Sequence, residues 1–166
     1  MYDDNAPGRI APLSQEHLPV YEEVIRKSFA LLFEKFNLTA DDCPEHAGNS
    51  MGELLAKRYE GGYFPFGYFK DGAMVGFVSL TDKGGCVFEM NHLSVLPDYR
   101  HLGIGKAMLD FCKKKCAALG GSKIVIEVLN DNIILKKWYI ENEFVCTGTT
   151  RTEDFPLLLC LMEWVR

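Results

Sequence analysis

Arg100-His101-Leu102-Gly103-Ile104-Gly105-Lys106 joins an extended apolar run, ending at Leu96-Pro97, to an amphipathic stretch, and its chemistry is that of an anion seat built from backbone. A helix that starts here leaves its first amide hydrogens without carbonyl partners and turns the positive end of its dipole toward the loop. Gly103 and Gly105 carry no Cβ, so phosphate oxygens can reach the main chain at both positions. Arg100 and Lys106 can add side-chain charge. Two common phosphate motifs do not fit: no GxGxxG opens the first strand with an acidic residue about 20 positions on, and GxxxxGK[ST] is absent. The residues point to a diphosphate held by the amides around Leu102 to Lys106. The plainer alternative is a tight turn whose glycines only let a helix pack closely.

The loop needs a strand to deliver it and a helix to receive it, and the patterning supplies both. Cys86 to Val95 reads as extended, and from about Gly103 to Leu119 the apolar residues Ile104, Ala107, Met108, Phe111, Cys112 and Leu119 fall on one helical side. Gly120-Gly121 stops that helix, and Lys123 to Leu129, with IVIEV at its heart, reads as a central strand beside a crossover helix. Upstream, residues 1 to 6 read as an irregular lead-in and Arg9 to Leu13 as a first strand. Ser14 caps a helix to about Phe36, with Leu18, Tyr21, Val24, Ile25, Ser28, Phe29, Leu32 and Phe36 in one stripe. Thr39 to Asn49 is polar and reads as a loop; Ser50 and Glu53 form a capping box for a short helix to about Glu60. Tyr63 to Phe69 and Ala73 to Leu80 make a hairpin through Lys70-Asp71-Gly72. A short helix from Asn130 to Tyr139 or Ile140, capped by Asn130 or Asp131, and strands over Phe144 to Thr150 and Leu157 to Trp164 complete a β-α-α-β-β-β-α-β-α-β-β order. This is a mixed α/β sheet flanked by helices, with no linker long enough to part residues 1–166 into two domains.

Composition narrows the function classes. The chain has 166 residues, 48% apolar and 25% charged, with a net charge of -5, which suits one globular unit with a real core. No run of 18 uncharged apolar residues exists and acidic residues crowd the first 30 positions, so neither a membrane span nor a signal peptide is expected and a cytoplasmic location is. The one dense basic run is Lys113 to Lys115, too narrow for a nucleic-acid groove. Six cysteines include no CxxC and mostly stand in apolar runs, where reduced buried thiols are expected rather than bridges or a metal site. The nearly continuous Leu157 to Leu161 run suits burial inside a monomer and a homodimer interface equally.

Arg100-His101-Leu102-Gly103-Ile104-Gly105 resembles the (Arg/Gln)-x-x-Gly-x-(Gly/Ala) acyl-coenzyme A signature of the GCN5-related N-acetyltransferase (GNAT) superfamily. The preceding Leu93-Ser94-Val95-Leu96-Pro97 resembles the family's fourth strand, and the element order agrees along nearly the full chain. The resemblance implies a three-layer fold: a central, largely antiparallel mixed sheet of about seven strands, splayed between the fourth and fifth, flanked by about four helices. It implies acetyl-coenzyme A as cosubstrate, its diphosphate on Arg100, His101, Leu102, Gly103, Ile104, Gly105 and Lys106 and its pantetheine along Leu93, Ser94 and Val95, with no metal. A bulge in the fourth strand would aim an amide at the thioester oxygen.

The stretch Asn130 to Tyr139 resembles the family's asparagine ahead of a short helix ending in tyrosine. By that likeness Asn132 fixes the cofactor arm or caps the helix. Tyr139 protonates the departing thiolate, a task suited to a phenol of pKa about 10 facing a thiol of about 8.5. His101 and Glu143 stand where the family commonly has glycine. For the acceptor, a primary amine of a small molecule or peptide, Glu89 is the expected base or anchor and His92 the rival, alternation placing them on opposite faces unless a bulge intervenes. His17 and His46 are expected on helix and loop surfaces. Tyr59, Tyr63, Phe64, Phe66 and Tyr68 are candidates for the acceptor pocket or the core. The expected reaction is direct attack in a ternary complex; a non-catalytic acyl-coenzyme A sensor is the alternative.

Overall fold

The computed structural model describes residues 8–48 and 50–166, so the expected irregular lead-in lies outside the described residues. Strands β1 Arg9–Pro12, β2 Tyr63–Lys70, β3 Ala73–Asp82, β4 Val87–Val95, β5 Lys123–Leu129, β6 Val145–Thr150 and β7 Leu159–Val165 form one sheet, ordered β1-β2-β3-β4-β5-β7-β6. The helices are α1 Leu18–Phe36, α2 Pro44–Ala47, α3 Met51–Arg58, α4 Ile104–Ala118 and α5 Ile133–Glu141. All neighbouring strands run antiparallel except β4 and β5. That exception follows from α4, the crossover that carries the chain back across the sheet before β5 begins.

Two apolar layers grip the sheet. On one face α4 inserts Ile104, Met108, Cys112 and Cys116, spaced one turn apart, against Phe88, Met90, Ile124 and Ile126, and Tyr139 of α5 joins the same cluster. Full burial of each large aliphatic there is worth about 1.5–3 kcal/mol. On the other face Tyr21, Val24 and Ile25 of α1 meet Met51 and Leu55 of α3 over Phe77. α1 must come close to do so: Tyr21 stacks on Phe77 with ring centres 4.5 Å apart.

Several local expectations change. Pro44 starts an extra single-turn helix, α2, inside the polar stretch expected as loop; four residues are too few to show a period. Ser50 makes no side-chain capping bond, whereas Ser14 forms its box with His17. α5 starts at Ile133, and its cap is Asn132, whose side chain accepts from the Leu135 amide at 3.4 Å. β7 lies between β5 and β6, which buries Cys160 and Met162 within the chain itself.

The feature that positions a site is the parting of β4 from β5. They pair only through Val87, Phe88 and Glu89 against Lys123, Ile124 and Val125. Beyond Asn91 the β3–β4 register slips by one residue, so that neither His92 nor Leu93 has a partner in β3, and His92 adopts a left-handed φ of 56°. A bulge of this kind bends its strand, and β4 turns away while β5 stays zipped to β7 as far as Leu129. Two hydroxyls hold the bulge: Ser79 donates to the Asn91 carbonyl at 3.4 Å and Ser94 to the His92 carbonyl at 2.5 Å. The slip also settles which side chains share a face. Leu93 and Val95 join Phe88 and Met90 against the α4 layer, while His92 comes round to the α1–α3 side to meet Phe77.

Candidate active site

The glycine turn opens directly onto the start of α4. Gly103 is the N-terminal cap with φ 79°, no side chain caps the helix, and the first bond into it runs from the Ala107 amide to the Gly103 carbonyl at 2.9 Å. The amides of Gly103 to Lys106 precede that bond and have no earlier helical turn to reach. A Cβ on Gly103 would enter open space, and one on Gly105 would meet only Trp138 and Val95 at 3.9 and 4.0 Å. An uncapped helix end with empty space before it fits a diphosphate. His101 takes a left-handed φ of 63°, and so does Glu143 at 70°; these are the two positions where the resemblance expects glycine.

The charges flanking the turn are engaged elsewhere. Arg100 donates from Nε to the Val95 carbonyl at 3.1 Å and from a terminal nitrogen to the Ser28 carbonyl at 2.6 Å, tying the loop to β4 and α1. Lys106 pairs with Asp110 one turn on, at 2.6 Å. Main chain, not side-chain charge, is therefore what this turn offers.

Between the parted strands lies a cavity of about 570 Å³, within the range that holds small ligands. Its walls come from both faces of the sheet. Asn132, Leu135 and Tyr139 stand on the α5 side, Met90 to Leu93 and Ile126 to Leu129 form the split, and Phe29, Phe33 and His46 stand on the α1–α2 side. Tyr139 is 5% exposed and packs between Trp138 and Phe144, at ring distances of 5.0 and 5.3 Å. Burial pushes its phenol pKa far up, helped by the Cys112 thiol, so the proton stays on oxygen at any working pH.

His92 is the surprise of the opposite wall. Its side chain is 2% exposed, and neither ring nitrogen has a hydrogen-bond partner. Glu45 Oε2 stands 3.6 Å from Nε2, and the same carboxylate is clamped by Arg58 at 2.5 Å. His46 covers the ring at 4.6 Å between centres. Burial holds both imidazoles neutral: His92 well below its usual value, with His46 and Arg58 adding to the effect, and His46 down to about 4, with Glu45 opposing and Arg58 assisting.

Glu89 is not part of the cavity wall; its Oε2 accepts from Asn91 Nδ2 at 3.1 Å and lies 3.8 Å from Lys83 Nζ. Glu127 does line the cavity, and its carboxyl is pushed up by burial and then by the nearby charge of Glu89. Sequence reasoning missed Glu127, although a lone carboxylate inside IVIEV was a usable signal. It also put His46 on the surface, because a ring covered only in three dimensions carries no local mark. Tyr63 and Phe66 are buried core and Phe64 packs toward Phe88; the aromatic lining comes instead from Phe29, Phe33 and Phe155.

A stability prediction arises here. His46 binds its proton at about pH 4 when folded and near pH 6.5 when unfolded, so the unfolded chain holds more protons between those values and stability falls as pH falls through that window. The expected loss on this account is on the order of 3 kcal/mol. Denaturant titrations at stepped pH should give a shallower decline for His46→Phe, which keeps a ring; parallel curves would contradict this assignment.

Comparison with known proteins agrees with this architecture. The family model described as "Acetyltransferase (GNAT) family" matches residues 29–144. An uncharacterized N-acetyltransferase of Schizosaccharomyces pombe is 33% identical over 66 residues, a match covering 40% of this chain and 45% of that protein. The ribosomal-protein-S18-alanine N-acetyltransferase of Escherichia coli shares the fold with a TM-score of 0.76 at 18% identity, covering 96% of this chain and 94% of that one. PaiA N-acetyltransferase of Thermoplasma acidophilum, solved with coenzyme A, gives 0.76 at 21% identity over 97% of this chain and all (100%) of that one. With its glycine turn on a bare helix end and its fourth and fifth strands parted around a cavity, the chain belongs to the GNAT acetyltransferase family.

Proposed function

We propose that this protein transfers an acetyl group from acetyl-coenzyme A to a primary amine by direct attack within a ternary complex. The observation that carries the reading is the cavity that passes between β4 and β5, with a protonated, buried phenol on one wall and a neutral, unbonded imidazole on the other. In this reading the diphosphate sits on the amides of Leu102 to Lys106, and the pantetheine follows Leu93, Ser94 and Val95 into the split. Acetyl-coenzyme A supplies the activated acyl group; the protein orients it and moves two protons. The amine meets the thioester at the bulge, where holding both reactants together supplies much of the rate. Tyr139 gives its proton as charge collects on sulfur.

For the amine's proton we assign His92 in preference to Glu89. A neutral imidazole with a free lone pair inside the cavity suits the task, and Glu45 behind it stabilises the imidazolium that forms. Glu89 retains a role as field: with Glu127 it makes this end negative and draws in a protonated amine. A cysteine-acyl route fits less well, because Cys43, the thiol on the wall, is pushed up to about 11 by burial and by Asp42. A buried tyrosine on the reacting wall argues for turnover rather than sensing. A cytoplasmic location belongs to the same proposal.

The test is thiol release from acetyl-coenzyme A in the presence of amines. The proton assignment is tested by His92→Gln, which should lower kcat/KM about tenfold or more at neutral pH. Glu89→Gln giving that phenotype while His92→Gln behaves as wild type would reverse the two roles.

A further inference from the structure

Resting on the acetyl-transfer reading, we infer that the acceptor is a primary amine on a bulky apolar body, an arylalkyl or long alkyl amine, and not a polyamine, an amino sugar or an amino acid. The acceptor end of the cavity can be told from the cofactor end by the sheet face that supplies it. Leu135 and Trp138 pack with the α4 cluster, on the side where the glycine turn opens, whereas Phe29 packs with the α1–α3 cluster opposite. A donor entering from the α4 turn therefore leaves the α1–α2 side to the amine.

On that side α1 presents a hydrocarbon wall. The C-terminal half of α1 contributes Phe29, Leu32 and Phe33, joined by Leu38 and by Phe155 from the segment before β7. The apolar stripe of α1 continues along the cavity, where Phe29, Leu32 and Phe33 are half-buried and Leu38 is buried. Their rings run in file toward the reacting point. Phe33 lies 6.5 Å from His46, Phe29 lies 4.4 Å from it edge-on, and His46 stacks 4.6 Å from His92. An apolar body laid along this file delivers its amine to His92.

Charge on the wall sorts the remaining candidates. Asp42, Glu45 and Glu127 line the cavity, and among the described residues no lysine or arginine does. Arg58 engages Glu45, and the Thr39 amide and hydroxyl engage Asp42, which leaves Glu127 to favour one cationic head and nothing to hold an acceptor's carboxylate. An amino acid would bury its own anion without a partner. The hydroxyls of an amino sugar, or the second ammonium of a polyamine, would lie against phenyl and leucyl groups with no bond to replace lost water.

The experiment measures thiol release at fixed acetyl-coenzyme A with 2-phenylethylamine, n-hexylamine, spermidine, kanamycin, lysine and an alanine-ended peptide, alongside calorimetry of acetyl-coenzyme A binding. We expect kcat/KM for 2-phenylethylamine or n-hexylamine to exceed that for the others by about tenfold or more, and Phe33→Ala to raise KM for 2-phenylethylamine about tenfold with cofactor affinity kept. Preference for spermidine, kanamycin, lysine or peptide, or no transfer to any amine by a protein that binds acetyl-coenzyme A, overturns the acceptor class alone. Failure to bind acetyl-coenzyme A would instead overturn the acetyl-transfer reading beneath it.

Discussion

Tyr139→Phe should lower kcat for acetyl transfer about 100-fold, roughly 2.7 kcal/mol of barrier, with the KM for acetyl-coenzyme A nearly unchanged. The hydroxyl is the only group lost, and the ring still fills its place between Trp138 and Phe144. Packing and fold are thus preserved while the proton donor is removed. A leaving thiolate must depart as the anion unless a donor is at hand, and burial keeps this phenol protonated throughout the working range. The deficit should shrink with acyl donors whose thiols are more acidic, since these need less protonation. An equal kcat in the two proteins with a verified acceptor would remove Tyr139 from the mechanism.

A contrast between two neighbouring glycines carries the second large effect. Gly103→Val should weaken acetyl-coenzyme A binding by roughly tenfold to a hundredfold, because the side chain projects into the space before the helix end and disturbs charge-assisted amide bonds worth about 1.5–3 kcal/mol each. At φ 79° a branched residue is also strained, by about 1–3 kcal/mol. Gly105→Ala should do the reverse: it is helical, its new methyl meets only ordinary contacts at 3.9 and 4.0 Å, and it should add about 0.5–1 kcal/mol of stability. Its cofactor affinity should be retained, since the acyl-coenzyme A signature admits alanine there. Calorimetry and thermal melts on both variants separate binding from folding. Unaltered affinity in folded Gly103→Val would place the diphosphate elsewhere.

Much of this architecture is legible in local pattern. The i, i+4 spacing of Ile104, Met108, Cys112 and Cys116 marks the buried side of α4, and alternation with turn residues at Lys70-Asp71-Gly72 marks the β2–β3 hairpin, because both periods are properties of the backbone. The uncapped helix start behind Gly103 is equally local. What is not legible is anything that depends on who stands opposite. Arg100 looks like phosphate charge until its two carbonyl partners, one from a helix 72 residues away, are seen. Phe29 and Leu32 look like plain core until their place on the cavity wall is seen.

The sequence alone determined every helix but α2, the strands, the glycine turn and the family resemblance, since each rests on periods and signatures a few residues long. Only the tertiary structure decided which face His92 takes, that Glu45, His46 and Glu127 share its cavity, and that Glu89 stands outside it. The physical reason is the bulge in β4. One extra residue inverts the side-chain alternation beyond it and bends the strand away from β5, and its position depends on a register with β3 that no single strand encodes.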